Sequence, residues 1–170
     1  MTILPIRIYG DPILRKRAKE ITEVEENIRK LAFDMLATVK EVKGIGLSAN
    51  QVGVEKRLFV IDRSVFSEIT GENSPLIVIN PVLVESHGQQ TSEEGCLSIP
   101  GTYEDVTREL EVLVKGRGLD EREIEIQGKG FLSRVLLHEI DHLNGLLFVD
   151  HLSSIRRRLL AKKLKKLSNK

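Results

Sequence analysis

Near the end of the run Phe131-Leu132-Ser133-Arg134-Val135-Leu136-Leu137-His138-Glu139-Ile140-Asp141-His142-Leu143-Asn144 stands the pentad His138-Glu139-Ile140-Asp141-His142. The run predicts a helix over 131–144 that Gly145 stops. Its apolar residues fall on more than one face, so the helix is expected to be enclosed by sheet rather than laid on a surface. Histidines at i and i+4 leave a helix from the same face, and both imidazoles can reach one metal ion. Glu139 between them is placed to handle a proton on a water that such an ion activates. Asp141 faces away from the ion on a regular helix, and its expected work is a hydrogen bond that orients a neighbour. The pattern points to metal-dependent hydrolysis.

A catalytic metal site usually has three protein ligands and an open position. Downstream of Glu139 the chain has no further glutamate, which removes a His-His-Glu set with a later acid. The longer pattern H-E-x-x-H-x-x-G-x-x-H holds as far as Gly145 and then meets Phe148, which binds no metal. Asp150 and His151 stay open as donors, at other spacings. Upstream, Cys96 in Glu94-Gly95-Cys96-Leu97-Ser98 is the better candidate, because a thiolate is a soft donor that suits Zn(II) or Fe(II) beside imidazoles. Taken alone, a lone cysteine is more often a small buried hydrophobe. The glycine before it and Leu-Ser-Ile-Pro after it suggest a strand leaving a tight turn, a rigid edge for a ligand.

Gly44-Ile45-Gly46-Leu47-Ser48-Ala49-Asn50-Gln51 adds a third stretch. Its G-x-G-x-x-A spacing also fits a dinucleotide fingerprint, but that motif follows a strand and opens a helix. Here it is expected after a helix and before a strand, so the nucleotide reading is rejected. The Gln51 amide can donate to a developing oxyanion.

Together, Gly44 to Gln51, Glu94 to Ser98 and His138 to His142 resemble, in order, the three signature motifs of the peptide deformylases, the bacterial-type, metal-dependent polypeptide deformylase family. The opening Tyr9-Gly10-Asp11-Pro12-Ile13-Leu14-Arg15 and the closing Leu152-Ser153-Ser154 with its basic helix are similar to that family too. The resemblance implies one deformylase domain over 1–170 and removal of the formyl group from formyl-methionine on newly made polypeptides, with release of formate. It implies Cys96, His138 and His142 as metal ligands, with Fe(II) in the cell and Ni(II), Co(II) or Zn(II) as substitutes. Glu139 would carry the proton, and the Leu97 backbone N–H and the Gln51 amide would hold the oxyanion. Gly44, Ile45, Gly46, Phe131 and Val135 are the candidate substrate-binding residues, with Ile45, Phe131 and Val135 as the methionine pocket. Ser48, Asn50 and Leu137 depart from the Ala, Pro and Gln more usual there. These departures bear on the rigidity and substrate contacts of the loop and remove no ligand.

The remaining chain predicts an α+β fold of mostly antiparallel sheets around the pentad-bearing helix, with helices at each end. Residues 1–9 are expected to be extended, with a turn at Asp11-Pro12. Thr22-Glu23-Val24-Glu25 has the form of a capping box for a helix of about five turns, with Val24, Ile28, Leu31, Met35, Val39 and Val42 as its buried stripe and Gly44 as a left-handed cap. Strands are expected over Arg57–Asp62, Leu76–Ser86, Glu109–Lys115 and Glu121–Gln127, with a surface loop at Gly71-Glu72-Asn73-Ser74-Pro75 and a turn at Gly116–Gly118. A last helix over 154–168 is amphipathic through Ile155, Leu159, Leu160, Leu164 and Leu167. Arg108 and Glu94 form a candidate ion pair. His87 and His151 are read as surface or packing histidines, His151 alternatively as a support to the metal site.

Composition narrows the classes. With 170 residues, 41% hydrophobic and 30% charged, the chain matches one ordinary globular domain. One cysteine forbids an intrachain disulfide, and there is neither a signal-peptide pattern nor an apolar run near the roughly 20 residues that span a bilayer, so a cytoplasmic protein without membrane contact is expected. The net charge of +1 conceals an asymmetry. Eight of the 26 basic residues and no acid lie between Arg156 and Lys170, leaving 18 basic against 25 acidic elsewhere. A basic tail on an acidic body suits a polyanion, and the resemblance implies the ribosome as partner. The rival readings are a metallopeptidase with the same pentad, which wants a downstream ligand, and a catalytically silent ribosome- or RNA-binding protein, whose structural metal would want a fourth one.

Overall fold

Leu58-Phe59-Val60-Ile61 are all fully buried, where an antiparallel strand with one wet face would alternate. Both faces of the sheet are covered at this strand. The computed structural model, which describes residues 1–66 and 74–169, is an α+β fold built on that sheet. Its strands are β1 (Gly46–Ser48), β2 (Leu58–Ile61), β3 (Leu76–His87), β4 (Gln90–Cys96), β5 (Ile99–Arg108), β6 (Glu111–Arg117) and β7 (Glu123–Lys129). Five strands form an antiparallel sheet in the order β1-β2-β3-β6-β7, and β4 and β5 pair as a separate hairpin. The helices are α1 (Glu26–Glu41), α2 (Phe131–Leu143) and α3 (Ser154–Ser168).

Alternation along β2 divides the core in two. Leu58 and Val60 pack with Ile28, Ala32, Met35 and Val39 of α1. Phe59 and Ile61 pack with Val135, Leu136, Leu137, Ile140 and Leu143 of α2. The side of α2 away from this core meets the β4–β5 hairpin through polar residues: Arg134 donates to Glu94 Oε2 (2.8 Å) and to the Val106 carbonyl (3.0 Å). The buried apolar residues of this helix thus gather in the sheet-side core, and its hairpin side is polar. A third core gathers Leu14, Ile99, Val106, Phe148, Leu152 and Leu164 under α3.

Several local expectations are corrected. The capping box at Thr22 does not form: α1 begins at Glu26, its cap Glu25 makes no side-chain cap bond, and the Val24 N–H donates instead to Glu121 Oε1 (3.0 Å). A tertiary partner has displaced the local one. The buried stripe includes Ala32 and Leu36, whereas Leu31 is half-buried and Val42 is exposed. The left-handed residue after α1 is Lys43 (φ 54°), one position before Gly44, whose N–H closes on the Val39 carbonyl (2.8 Å).

The expected strands over 57–62 and 76–86 match β2 and β3 closely, but those over 109–115 and 121–127 move two residues on, to β6 and β7. Gly116 belongs to β6 rather than to a turn, because a Cβ there would collide with Val78 Cγ1 at 2.6 Å and the Ile79 carbonyl at 3.0 Å. The turn uses Gly118 to Arg122 instead. Of the loop expected at 71–75, only Ser74 and Pro75 lie among the described residues. In α3 only Leu164 is buried, with Leu160 and Leu167 half-buried against the third core. Ile155 and Leu159 stay 68% and 72% exposed, because at 100° per residue Ile155 stands half a turn around from Leu164. Among the described residues, no helix is long and apolar enough to cross a membrane.

This division of the core predicts unequal costs of truncation. Leu136→Ala, at a fully buried site between α2 and the sheet, should lower the unfolding free energy by about 2–5 kcal/mol in denaturant titrations. Leu159→Ala should change it by no more than about 0.5 kcal/mol.

Candidate metal centre

β4 ends at Cys96, whose residue pairs across a tight turn with Ile99 of β5, so the cysteine enters the turn rather than leaving it. That turn carries Sγ to the histidine face of α2. Cys96 Sγ lies 3.2 Å from His142 Nε2, and the two Nε2 atoms of His138 and His142 are 3.2 Å apart. Ligand bonds of about 2.0–2.3 Å in a tetrahedron would separate the donors by about 3.3–3.6 Å. Two of the three separations are near those values and all three donor atoms lie within 4.8 Å of one another, a set of one thiolate and two imidazoles whose chemistry suits a divalent ion of the zinc or iron type. Cys96, His138 and His142 form the one such cluster found among the described residues. Asp150 and His151, the donors left open in the sequence, are engaged elsewhere: Asp150 accepts from Arg15 and from the Leu147 N–H (2.8 Å), and His151 pairs with Asp141 (2.7 Å).

The other nitrogen of His138 explains its orientation. Nδ1 meets Glu94 Oε1 at 2.6 Å, which leaves the Nε2 lone pair for an ion. Glu94 also receives Arg108 (2.6 and 2.9 Å) and Arg134 (2.8 Å), and Arg108 continues to Asp141 Oδ2 (2.6 Å). The candidate pair of Arg108 and Glu94 is thus part of a buried network, and Asp141 does the orienting work expected of it, with His151 on its outer side. Burial opposes ionisation of Glu94, but hydrogen bonds from His138 and Arg108 and their charges hold its carboxyl well below the usual range. Asp141 is likewise held low against its burial, by His151 and Arg108. At Cys96 burial again favours the neutral form, and the charges and hydrogen bonds of His142 and His138 outweigh it, so the thiolate is favoured. His142 Nδ1 is buried with no hydrogen-bond partner among the described residues, so the two imidazoles are not equally supported there.

Glu139 lies beside the three donors and is almost fully buried. Desolvation raises its pKa, partly offset by His138, His142 and a bond from Ser48. A Cβ at position 46 would overlap Oε1 in its present place, so a side chain there would displace the carboxylate. The Ser48 N–H donates to Gln51 Oε1 (2.9 Å), which turns the Gln51 NH2 toward Ser98 Oγ (3.2 Å) and Cys96 Sγ (3.5 Å). These groups open on a cleft of about 480 Å³. Gly44, Ile45, Gly46, Gln51, Cys96, Leu97, Phe131, Val135, His138 and Glu139 all line it, whereas His142 sits behind the wall. Every site residue expected from sequence is therefore in one neighbourhood.

Sequence reasoning missed the bond from Glu94 to His138, the part of Arg134, and the rim of Lys43, Pro100, Gly101 and Tyr103. One signal was available: Glu94 and Cys96 are two apart on a strand, so both point to the same side. Nothing in the sequence indicates Arg134, whose partners come from a separate hairpin.

A family model described as polypeptide deformylase matches residues 3–158. The peptide deformylase of Syntrophobacter fumaroxidans is 46% identical over 166 residues, covering 98% of this chain and 96% of that one. That of Alkalilimnicola ehrlichii is 44% identical over 167 residues, covering 98% and 92%. Among solved structures, the peptide deformylase from Legionella pneumophila superposes with a TM-score of 0.88 at 41% identity, over 99% of this chain and 96% of that one. The enzyme from Ehrlichia chaffeensis in complex with actinonin gives 0.89 at 38% identity, over 98% of each chain.

Carboxyls held below their ordinary range bind protons more readily when the chain unfolds. Stability contributed by Glu94 and Asp141 is therefore complete above the unfolded carboxylate pKa of about 4 and drains away as pH falls toward the folded values. The thermal midpoint should drop between about pH 5 and pH 3. Glu94→Gln should flatten that drop and weaken metal retention about 10–100-fold, read by competition with a chelator.

Proposed function

The chain belongs to the polypeptide deformylase family, and from that premise we propose how its residues divide the work of hydrolysing the formyl amide of N-formylmethionyl nascent peptides to formate and a free amine. The observation that carries the reading is the convergence of Cys96, His138 and His142 beside the Glu139 carboxylate on the wall of one cleft. Cys96, His138 and His142 hold the ion. A divalent ion so held supplies a Lewis acid that polarises a carbonyl and lets water ionise near neutral pH. Glu139 takes the proton of the attacking water on its carboxylate and later returns it to the departing amine. Its burial favours the protonated state midway, which suits a group that must accept a proton and release it again. The Gln51 NH2 and the Leu97 backbone N–H donate to the oxyanion that develops on the formyl oxygen. The small formyl group fits the cramped part of the cleft lined by Gly46 and Leu97, and Ile45, Phe131 and Val135, with Gly44, receive the methionine side chain.

Fe(II) is the proposed resident ion, with Ni(II), Co(II) and Zn(II) as substitutes, a choice supported by one soft thiolate with two imidazoles. The cytoplasm is the proposed compartment. Helix α3 is the proposed ribosome contact, supported by exposed Arg157, Arg158, Lys162, Lys165 and Lys166 beside exposed Ile155 and Leu159.

Glu139→Gln should reduce formate release from a formyl-Met tripeptide by at least about 10²-fold with the metal still bound. Retained activity in that variant would contradict the assigned role. Iron-loaded protein should lose activity within hours of exposure to air while nickel-loaded protein retains it, because Fe(II) is oxidised in air where Ni(II) is not, and oxidation of the metal exposes the Cys96 thiolate to the same damage. Equal survival of both forms would count against Fe(II) as the working ion. Charge reversal at Lys162, Lys165 and Lys166 should weaken ribosome co-sedimentation and leave tripeptide hydrolysis unchanged. Unchanged co-sedimentation would remove α3 from the partner assignment.

A further inference from the structure

Glu139 meets both end residues of the three-residue strand β1. Gly46 at one end leaves no space for a Cβ beside Oε1. Ser48 at the other end is fully buried, and its hydroxyl stands 2.6 Å from Glu139 Oε2 and 3.0 Å from the Glu139 main-chain oxygen. A hydroxyl carries one proton, and the carboxylate oxygen is the nearer and more strongly charged of its two acceptors. The terminal torsion of a glutamate is otherwise broad and roughly two-fold, so an untethered carboxylate would exchange its two oxygens freely. Ser48 also donates its N–H to Gln51 Oε1, but any residue could do that; only the hydroxyl is particular to serine. Alanine is the residue the family resemblance leads one to expect here, so this tether lies outside the shared motif.

We propose that Ser48 is a positioning residue for deformylation: its hydroxyl ties Oε2 of Glu139, so that Oε1 alone is presented to the cleft for proton transfer. Two neighbours of one strand thus break the symmetry of the carboxylate, Gly46 by giving Oε1 room and Ser48 by occupying Oε2. The inference rests on Glu139 being the proton carrier, and the experiment separates the two ideas. Orientation acts on the chemical step and not on substrate binding, so its signature is a change in kcat without a change in KM.

The test uses nickel-loaded protein and a formyl-Met tripeptide. Ser48→Ala should lower kcat about tenfold, with KM within about twofold and with metal content and thermal midpoint unchanged. In a Glu139→Asp background, whose shorter side chain no longer reaches Ser48, the same substitution should have no further effect, since coupled residues are non-additive. Crystals of Ser48→Ala should show the Glu139 carboxylate in more than one orientation. An unchanged kcat, an equal loss in the Glu139→Asp background, or a loss confined to KM or metal content would overturn the proposal, as would a single wild-type carboxylate orientation. Should Glu139→Gln itself remain active, the underlying reading of Glu139 fails as well.

Discussion

The buried carboxylate of Glu94 holds the residues of the proposed metal centre together. It bonds Arg108 from its own hairpin and Arg134 and His138 from α2, so that one charged group joins the element carrying Cys96 to the element carrying both histidines. Desolvating such charges is costly, and their mutual attraction offsets the cost only when every lone pair is used. Here Oε1 meets Arg108 and His138, and Oε2 meets Arg108 and Arg134. Removing the carboxylate would strand two buried guanidinium groups, a change on the order of 3–5 kcal/mol for buried pairs of this kind. The same bonds fix which histidine nitrogen faces the thiolate. Fold stability and ligand geometry are one problem at this position.

Much of the architecture was legible because it is local or periodic. The pentad and Gly145 mark α2, and the Val- and Ile-rich runs around residues 58–61 and 76–87 mark two strands. What escaped depends on contacts between segments distant in sequence. Glu121 takes the Val24 N–H and cancels a capping box that is sound by itself. Val78 and Ile79 make Gly116 a packing glycine inside a strand, where sequence suggests a turn. The apolar spacing of α3 cannot reveal that only its Leu160-Leu164-Leu167 side meets the body, because Ile155 and Leu159 obey the same broad periodicity.

For the site, each motif displayed its chemistry and concealed its supports. His138 and His142 follow from their spacing, Cys96 stood as a candidate by donor type, and the resemblance drew the three into one set. The cleft gathers the expected substrate residues as well, since Leu97 follows Cys96 in sequence, Phe131 and Val135 precede the histidines on the same helix, and Ile45 lies in the stretch that carries Gln51. Ser48 stood in the sequence only as a departure from the usual alanine, and its contact with Glu139 spans 91 residues. Arg134 is one of several charged residues on a helix until Glu94 and the Val106 carbonyl are seen opposite it.

In the proposed centre, Glu94 and the β4–β5 turn bring one sulfur to two imidazoles and leave a coordination position open. X-ray absorption at the zinc edge of zinc-loaded protein tests this directly. The geometry predicts one sulfur at about 2.3 Å and two imidazole nitrogens at about 2.0–2.1 Å, with one further light donor that exchanges with solvent. A first shell without sulfur, or one closed by a fourth protein ligand, would contradict it.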